Sequence, residues 1–154
     1  TATLEKSKNT GTVIGSTNIG GIAGESKGTI TQCRNDGQVS NVAGVICNTV
    51  NLGGLVGKNG EAARLSNSKN YGNVNSATDT LVNLGGICGI LYNNSIVELC
   101  ENNGAISGSG KEIIPNEDTN TNCASCTSNN GGSASTDDFG QLNIGIIYGK
   151  YQEI

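Results

Sequence analysis

The chain has 154 residues, including 24 Gly, 6 Cys, one Pro, one Phe and four Tyr, and it contains no Met, Trp or His. Hydrophobic residues make up 34% and charged residues 14%, against about 45–50% and about 25% in ordinary globular proteins, so a thin repetitive core is expected. The lack of His excludes imidazole catalysis and common zinc sites within this chain, a net charge of −4 with scattered Lys and Arg disfavours nucleic-acid binding, and no apolar run reaches the length of a membrane span.

A seven-residue element, Asn-apolar-Gly-Gly-apolar-x-Gly, recurs along the chain, and we call it the anchor. Its copies are NIGGIAG at 18–24, NLGGLVG at 51–57, NLGGICG at 83–89 and the variant NIGIIYG at 143–149. They lie 33, 32 and then 60 residues apart, so the last interval predicts a hidden, degenerate turn with Ile114 at the anchor position. We divide a single domain, 1–154, into a partial unit 1–17, units 18–50, 51–82 and 83–109, a degenerate unit 110–142 and a partial unit 143–154.

A second element, Asn-x-Gly-x-apolar, precedes or follows the anchors, and it begins at Asn9, Asn35, Asn70 and Asn102. Two fixed columns of a stack precede these copies. The small column, two residues before each Asn, is Ser7, Cys33, Ser68 and Cys100, and the aliphatic column, three residues earlier still, is Leu4, Ile30, Leu65 and Val97. In the degenerate unit, Cys123 and Cys126 take the aliphatic and small positions, and Asn129 takes the Asn position after one extra residue. The predicted core consists of Ile22, Leu55, Ile87, Ile147, Ile30, Leu65, Val97, Val39, Val74 and Ile106.

Short extended segments separated by Asn/Gly turns, with no helical period, predict an all-β fold. A unit of this length cannot bury its own apolar face, so neighbouring units must stack to make a core. The predicted fold is a parallel β-solenoid of about four to five turns. We expect the anchor glycines to allow close backbone approach, the corner Asn residues to adopt the left-handed conformation, and stacked Asn side chains to form ladders.

The anchor followed by Thr-Ile-x-x-Cys-x-Asn-x-Gly-x-Val resembles the GLUG-type repeats of bacterial surface proteins, which also occur in non-catalytic parts of IgA-specific metallopeptidases. The resemblance covers 4–74 strongly and 84–106 well. It implies an extracellular, adhesin-like or spacer module at the cell surface. The peptidase activity of some relatives is not carried over, because a zinc-peptidase motif is absent.

Acidic side chains and cysteines are the candidates for chemistry. The acids are Asp137-Asp138, Glu117-Asp118, and Glu98 with Glu101, and none recurs in a fixed column, so we interpret them as solvated surface groups. Calcium binding at 116–118 is the weaker alternative. Cys123 and Cys126 are spaced like a redox or metal pair, but we favour buried small hydrophobes, with a Cys123–Cys126 disulfide as the alternative. We therefore predict no catalytic residue, no metal and no cofactor.

Tyr71 and Tyr92 lie next to turns and are the predicted binding residues, because amphipathic rings suit contact surfaces. Tyr148 replaces small residues of its column, which favours a role in closing the end of the stack. The ends of the stack should pair end to end, or be covered by Tyr148, Tyr151 and Gln152.

The sequence thus predicts a non-catalytic repeat module, acting in adhesion, ligand binding or as a spacer. Expected partners are a host glycan or protein, or neighbouring domains of the same chain. The alternative is a carbohydrate-active solenoid domain or a glycan-binding module. Repeated elements with unrelated loops favour the first hypothesis, because a catalytic solenoid needs acids converging on one groove.

Overall fold

The structure is a computed structural model. It describes residues 2–42, 49–77, 81–92, 94–115, 123–129, 132–145 and 147–152, with only the backbone for 110–115, 123–124, 135–141 and 143. Within these ranges the secondary structure consists of strands, and no helix occurs.

The strands are short and follow one another around successive turns. In chain order they are β1 (Thr3–Glu5), β2 (Lys8–Asn9), β3 (Val13–Gly15), β4 (Asn18–Gly20), β5 (Ala23–Ser26), β6 (Thr29–Thr31), β7 (Arg34–Asn35), β8 (Val39–Asn41), β9 (Val50–Gly53), β10 (Val56–Asn59), β11 (Arg64–Ser66), β12 (Lys69–Asn70), β13 (Val74–Asn75), β14 (Leu81–Gly85), β15 (Cys88–Tyr92), β16 (Ile96–Glu98), β17 (Glu101–Asn102), β18 (Ile106–Pro115), β19 (Cys123–Ala124), β20 (Thr127–Ser128), β21 (Gly132–Gly145) and β22 (Tyr148–Gln152).

Each strand pairs in parallel with its equivalent in the next turn, which confirms the predicted parallel β-solenoid. Sheet 1 has the order β1-β6-β11-β16-β19, sheet 2 has β2-β7-β12-β17-β20, and sheet 3 has β22-β15-β10-β5. Sheet 4 has eight strands in the order β3-β8-β13-β18-β21-β14-β9-β4. The register follows the repeat, since Asn18 pairs with Asn51 and Asn51 with Asn83.

The interior contains two apolar cores. The first is formed by residues of sheets 1 and 3 together with Cys33 and Cys100 of the small column, and the second by residues of sheet 4. Nine of the ten predicted core residues are buried, and Ile22 is half-buried because it lies in the first turn of its column. The apolar residues on either side of the anchor's glycine pair belong to different cores. Leu52, before the pair, lies in the sheet 4 core, and Leu55, after it, lies in the first core.

The second-element asparagines form a ladder between the two cores. Each Nδ2 donates to Oδ1 of the next turn, from Asn9 to Asn35 at 2.8 Å, from Asn35 to Asn70 at 2.9 Å and from Asn70 to Asn102 at 2.8 Å. Each side chain also bonds the backbone two residues on, as Asn70 does with both N–H and C=O of Gly72. The predicted Asn ladder is therefore confirmed, and its polar groups are satisfied inside the protein.

The anchor asparagines form a second ladder that runs the opposite way. Asn83 donates to Asn51 at 2.7 Å, and Asn51 donates to Asn18 at 2.8 Å, so the donors point towards earlier turns. In the first ladder the donors point towards later turns.

Glycine is required at the anchor positions because a side chain there would overlap neighbouring atoms. A Cβ on Gly54 would overlap the Asn70 side chain and the Gly86 carbonyl, and a Cβ on Gly57 would overlap the backbone of Asn51 and Ile19. The expected close backbone approach is confirmed, because the two arms of each anchor meet with no side chain between them.

The left-handed corners are not occupied by the ladder asparagines, so that expectation is wrong. The residues with positive φ that recur in the stack are Lys6, Gln32, Asn67, Leu99 and Ser125, each one position before the small column. The ladder asparagines lie in strands instead, where extended backbone lets their side chains stack.

The degenerate unit departs from the prediction at its anchor. Ile114 pairs with Asn143, and Asn143 pairs directly with Asn83, so the last anchor follows the third in the sheet. Ile114 is therefore not an anchor residue. The physical reason is that Ile113 and Glu117 would stand where Gly is needed for backbone contact, whereas Gly145 and Gly149 supply it.

The rest of the degenerate unit continues the stack. Cys123 pairs with Val97, which confirms its place in the aliphatic column. Ser128, not Asn129, takes the ladder position and accepts from Asn102 Nδ2 at 3.2 Å, so no extra residue is inserted.

The C-terminal segment forms one more strand. Tyr148 is buried and pairs with Cys88, and Tyr151 and Gln152 pair with β15. These residues extend sheet 3 and do not fold over its end as a cover.

Candidate functional site

Tyr92 lies at the rim of a cleft of about 310 Å³. It ends β15, and its neighbours come from the equivalent strands of the two preceding turns, where Lys58 of β10 pairs with Glu25 of β5. The other lining residues, Lys27, Gly60 and Glu61, belong to the corners that follow those strands. Three successive turns thus supply one surface site.

Charged groups in the cleft are paired around a shared carboxylate. Lys58 Nζ lies 3.3 Å from Glu25 Oε1, and Lys27 Nζ lies 3.7 Å from the same oxygen. Lys58 Nζ also lies 5.6 Å from the centroid of the Tyr92 ring, within the range of a cation–π contact. An aromatic face beside ammonium and carboxylate groups can contact the apolar side of a sugar ring and hydrogen-bond its hydroxyls.

Tyr71 occupies a different cluster and does not line the Tyr92 cleft. It follows β12, remains exposed, and Arg34 of the preceding turn lies 4.3 Å from its ring centroid. Arg34 Nε donates to Asp36 at 2.5 Å, and Lys8 bonds the same carboxylate at 2.9 Å. The Tyr71 ring is therefore already engaged by a cation, and the structure does not bring the two predicted binding residues together.

The acidic candidates Glu98 and Glu101 lie on different sheets and have separate partners. Glu98 of β16 pairs with Arg64, and Glu101 of β17 lies 3.2 Å from Lys69. Hydrogen bonds from Asn103 and Lys69 hold the pKa of Glu101 below its ordinary value. A carboxylate stabilised in its charged form is a poor general acid, which favours the surface interpretation. The side chains of Asp137-Asp138 and the pair Glu117-Asp118 lie outside the described residues.

Three cysteines, Cys33, Cys88 and Cys100, are buried free thiols, as predicted. Burial raises the pKa of Cys100 to about 11, so this thiol is neutral and unreactive at ordinary pH. Cys126 is in a disulfide, so its interpretation as a buried small hydrophobe is wrong. Its side chain is half-buried and packs against the first core. The side chain of Cys123 lies outside the described residues.

The described part of the chain contains no group of three or more potential metal ligands. The loop 116–118, considered above for calcium, lies outside it. No helix in the described ranges is long and apolar enough to cross a membrane.

Comparison with known proteins adds no relative. No protein-family model, curated protein or solved structure matches the chain significantly.

Sequence reasoning missed the charged members of the cleft, Glu25, Lys27, Lys58 and Glu61. Glu25 and Lys58 each follow the last Gly of an anchor, and the residues in the same column of later turns are Ile90 and Lys150. The available signal in the sequence was a pair of opposite charges, Glu25 and Lys58, at the same column position of two successive turns. This signal indicates a binding site only in the folded protein, where Tyr92, two residues beyond the column in the third turn, lines the same cleft.

Proposed function

We propose that this chain is a non-catalytic, extracellular repeat module of a bacterial surface protein, and that it acts as a stiff spacer carrying a ligand-binding cleft at Tyr92. The observation that carries this proposal is that repeated and unrepeated residues lie in different places. Residues that recur from turn to turn are buried in the cores, ladders and anchor contacts, whereas the cleft is built from residues that do not recur.

The stiffness follows from bonds between turns. Two Asn ladders and four sheets cross every interface between the central turns, so bending the stack at one interface would break buried hydrogen bonds. Unsatisfied buried polar groups are costly, about 1–3 kcal/mol each. A spacer built in this way should resist bending and keep its length when a mechanical force acts on it. The resemblance to GLUG-type repeats supports the surface location.

The ligand class that the cleft fits best is a glycan. Tyr92 offers a ring face, and Glu25, Glu61 and Lys58 offer acceptors and donors at its edge. Aromatic platforms rimmed by polar groups are typical of sites that bind amphipathic ligands. The alternative, a carbohydrate-active enzyme, requires a pair of free carboxylates, and Glu25 is bridged by two lysines.

A glycan array with the purified protein tests the binding function. We expect a restricted set of oligosaccharides to bind, with binding lost in Tyr92→Ala and retained in Tyr71→Ala, which is the matched control on another sheet. Binding that is insensitive to Tyr92→Ala would contradict the site. Release of new reducing ends from a bound polysaccharide would instead establish the enzymatic alternative.

Labelling of intact native cells tests the location. An antibody against this module should stain unpermeabilised cells, and mild external protease should remove the signal. Staining that requires permeabilisation would contradict an extracellular module.

A further inference from the structure

The Tyr92 cleft is part of a wider arrangement of side chains on sheet 3. Residues of neighbouring strands lie in register, so Lys58 pairs with Glu25 of the preceding turn and with Ile90 of the following turn. Ile90 in turn pairs with Lys150 of β22. These four residues form one column along the stack, which we call the Lys58 column.

The Lys58 column faces away from the apolar core. The column one residue further along contains Leu91 and Tyr151, which belong to the first core or pack against it. Because successive side chains of a strand point to opposite faces of the sheet, Lys58 and Lys150 point outwards. No described carboxylate forms an ion pair with Lys150. Its ammonium group is therefore available to a ligand on this face.

A second column, two residues beyond the first, makes room for a ligand. It contains Gly60 in one turn and Tyr92 in the next, and both line the cleft. Gly60 has no side chain, and a Cβ there would lie 3.9 Å from Oε1 of Glu25, which lines the same cleft. The glycine thus leaves space between that carboxylate and the aromatic ring. A sugar ring in this space contacts the Tyr92 face on one side and the Lys58 column on the other.

The ammonium groups of the cleft have more donors than the protein satisfies. Lys58 and Lys27 approach the same oxygen, Glu25 Oε1, at 3.3 Å and 3.7 Å. Each ammonium group carries three N–H donors. Lys58 has no other acceptor among the described residues, and the side chain of Lys27 is 79% exposed. N–H donors beside the ring therefore remain free for oxygen atoms of a ligand.

The acidic groups of this face do not cancel its positive charge. Among the described residues three ammonium groups stand against two carboxylates, those of Lys27, Lys58 and Lys150 against Glu25 and Glu61. Glu61 lies in the exposed corner after β10, at the edge of the cleft. The chain as a whole has a net charge of −4, so this face is a local exception. A local positive potential beside an aromatic ring favours an anionic ligand.

We propose that the ligand of the Tyr92 cleft is a linear acidic glycan that lies along the stack and carries uronic-acid carboxylates. One carboxylate accepts hydrogen bonds from Lys58 and Lys27, the following sugar ring stacks on Tyr92, and the next carboxylate accepts from Lys150. This inference rests on the proposed glycan-binding function and names the class of glycan. It adds Lys150, which does not line the cleft itself, to the binding surface.

The spacing of the two lysines selects acids on alternate sugar rings. Lys58 and Lys150 are two strands apart, which is about 9.6 Å at about 4.8 Å per strand. Carboxylates on alternate rings of an extended glycan are separated by a similar distance, whereas those on adjacent rings are about half as far apart. The residue between the lysines is Ile90, which is uncharged and 7% exposed. The sugar ring above it therefore needs no acid.

Calorimetric titration with a defined hexasaccharide tests the ligand class. The probe alternates glucuronic acid with N-acetylglucosamine, and its matched control is the same hexasaccharide with every carboxylate reduced to an alcohol. We expect saturable binding of the acidic probe, at least tenfold weaker binding of the reduced control, and falling affinity as salt is added. Equal affinities, or no binding of the acidic probe, overturn the proposal. Neutral glycans that still bind the array through Tyr92 would then show that only the ligand class was wrong.

Removal of the competing carboxylate gives a test with the opposite sign. Glu25→Gln keeps the shape of the side chain but frees the ammonium group of Lys58 for the ligand. Binding of the acidic hexasaccharide should become severalfold tighter in this variant. A neutral or cationic ligand gains nothing from the change, so an unchanged or weaker affinity overturns the proposal.

The predicted path of the glycan is tested at Lys150. Lys150→Gln should weaken binding of the hexasaccharide at least severalfold, but it should leave the affinity of the corresponding disaccharide unchanged, because the shorter ligand reaches only Lys58. Lys69→Gln is the matched control, since it removes the same charge on sheet 2, outside the cleft. Thermal unfolding checks that both variants are folded. Equal effects of the two substitutions on the hexasaccharide overturn the proposed path.

Discussion

The Nδ2 of Asn70 donates to the Oδ1 of Asn102 at 2.8 Å, and both side chains are completely buried between the two apolar cores. An amide in such a place is tolerated only because each of its donors and acceptors has a partner. Asn70 meets this condition through Asn35, Asn102 and the backbone of Gly72. The ladder therefore stabilises the stack as a unit, and interrupting it should be costly.

Removing an inner rung should cost more than removing the outer one. Asn70→Ala leaves ladder and backbone groups unsatisfied on both sides, and we expect a loss of about 2–4 kcal/mol in the free energy of unfolding. Asn9→Ala, at the half-buried end of the ladder, is the matched control, with an expected loss of about 1 kcal/mol. Urea denaturation followed by circular dichroism measures both, and equal losses would contradict a continuous ladder.

Glycine at the anchor should be irreplaceable for reasons of space. Gly54→Ala, and still more Gly54→Val, drives a side chain into Asn70 and the Gly86 carbonyl, and we expect a loss of about 3 kcal/mol or more. Gly11→Ala is the control, because its Cβ would meet only Asn9 Oδ1 at 3.7 Å, an ordinary contact. If thermal denaturation shows the two variants equally stable, the assigned register of the columns is wrong.

A left-handed corner offers a stabilising substitution. Leu99 has φ of 53° and is 54% exposed, so it is strained without contributing much burial. Leu99→Asn should raise the unfolding free energy by about 0.5–1 kcal/mol, because Asn tolerates this conformation better. The reciprocal change, Asn67→Leu at the equivalent corner, should lower it by a similar amount. Opposite signs in the two variants are the required result.

A second stabilising substitution is expected at Asn59, which is a buried amide. Asn59 is fully buried, and neither its Nδ2 nor its Oδ1 has a hydrogen-bond partner among the described residues. The residue above it in the column is the buried Leu91. Asn59→Leu should therefore stabilise the protein by about 1–2 kcal/mol by removing the desolvated amide. A drop in thermal midpoint would show that Asn59 has a polar partner such as an internal water.

Acid should weaken the ion pairs on sheet 2. Hydrogen bonds from Arg34 and Lys8 lower the pKa of Asp36, and those from Asn103 and Lys69 lower the pKa of Glu101. Since both folded-state values lie below those of the unfolded chain, stability is fully present above about pH 5 and is lost as the pH falls below about 4.

Denaturation at a series of pH values measures this loss. The double variant Asp36→Asn with Glu101→Gln should flatten the acid limb of stability against pH. Glu61→Gln is the matched control, because its carboxylate lies outside both networks. A double variant with an unchanged acid limb would place the acid sensitivity elsewhere.

The repeat determined the fold from the sequence alone. Residues recurring at one period must occupy equivalent positions if the units stack, so the solenoid, the register of Asn18 on Asn51 and nine buried core positions followed directly. The position of Cys123 beneath Val97 followed for the same reason, despite the degeneracy of its unit.

Only the tertiary structure decided the features that depend on three-dimensional approach. Leu99 and Gln32 adopt the left-handed conformation at their corners, because the path of the turn fixes φ there regardless of residue preference. Asn143 stacks on Asn83, since backbone contact admits Gly145 but not Ile113. The Tyr92 cleft joins residues from three turns, and no single unit carries enough of it to be recognised. Periodicity specifies which residues are equivalent, whereas sterics and hydrogen-bond geometry across turns specify what those positions do.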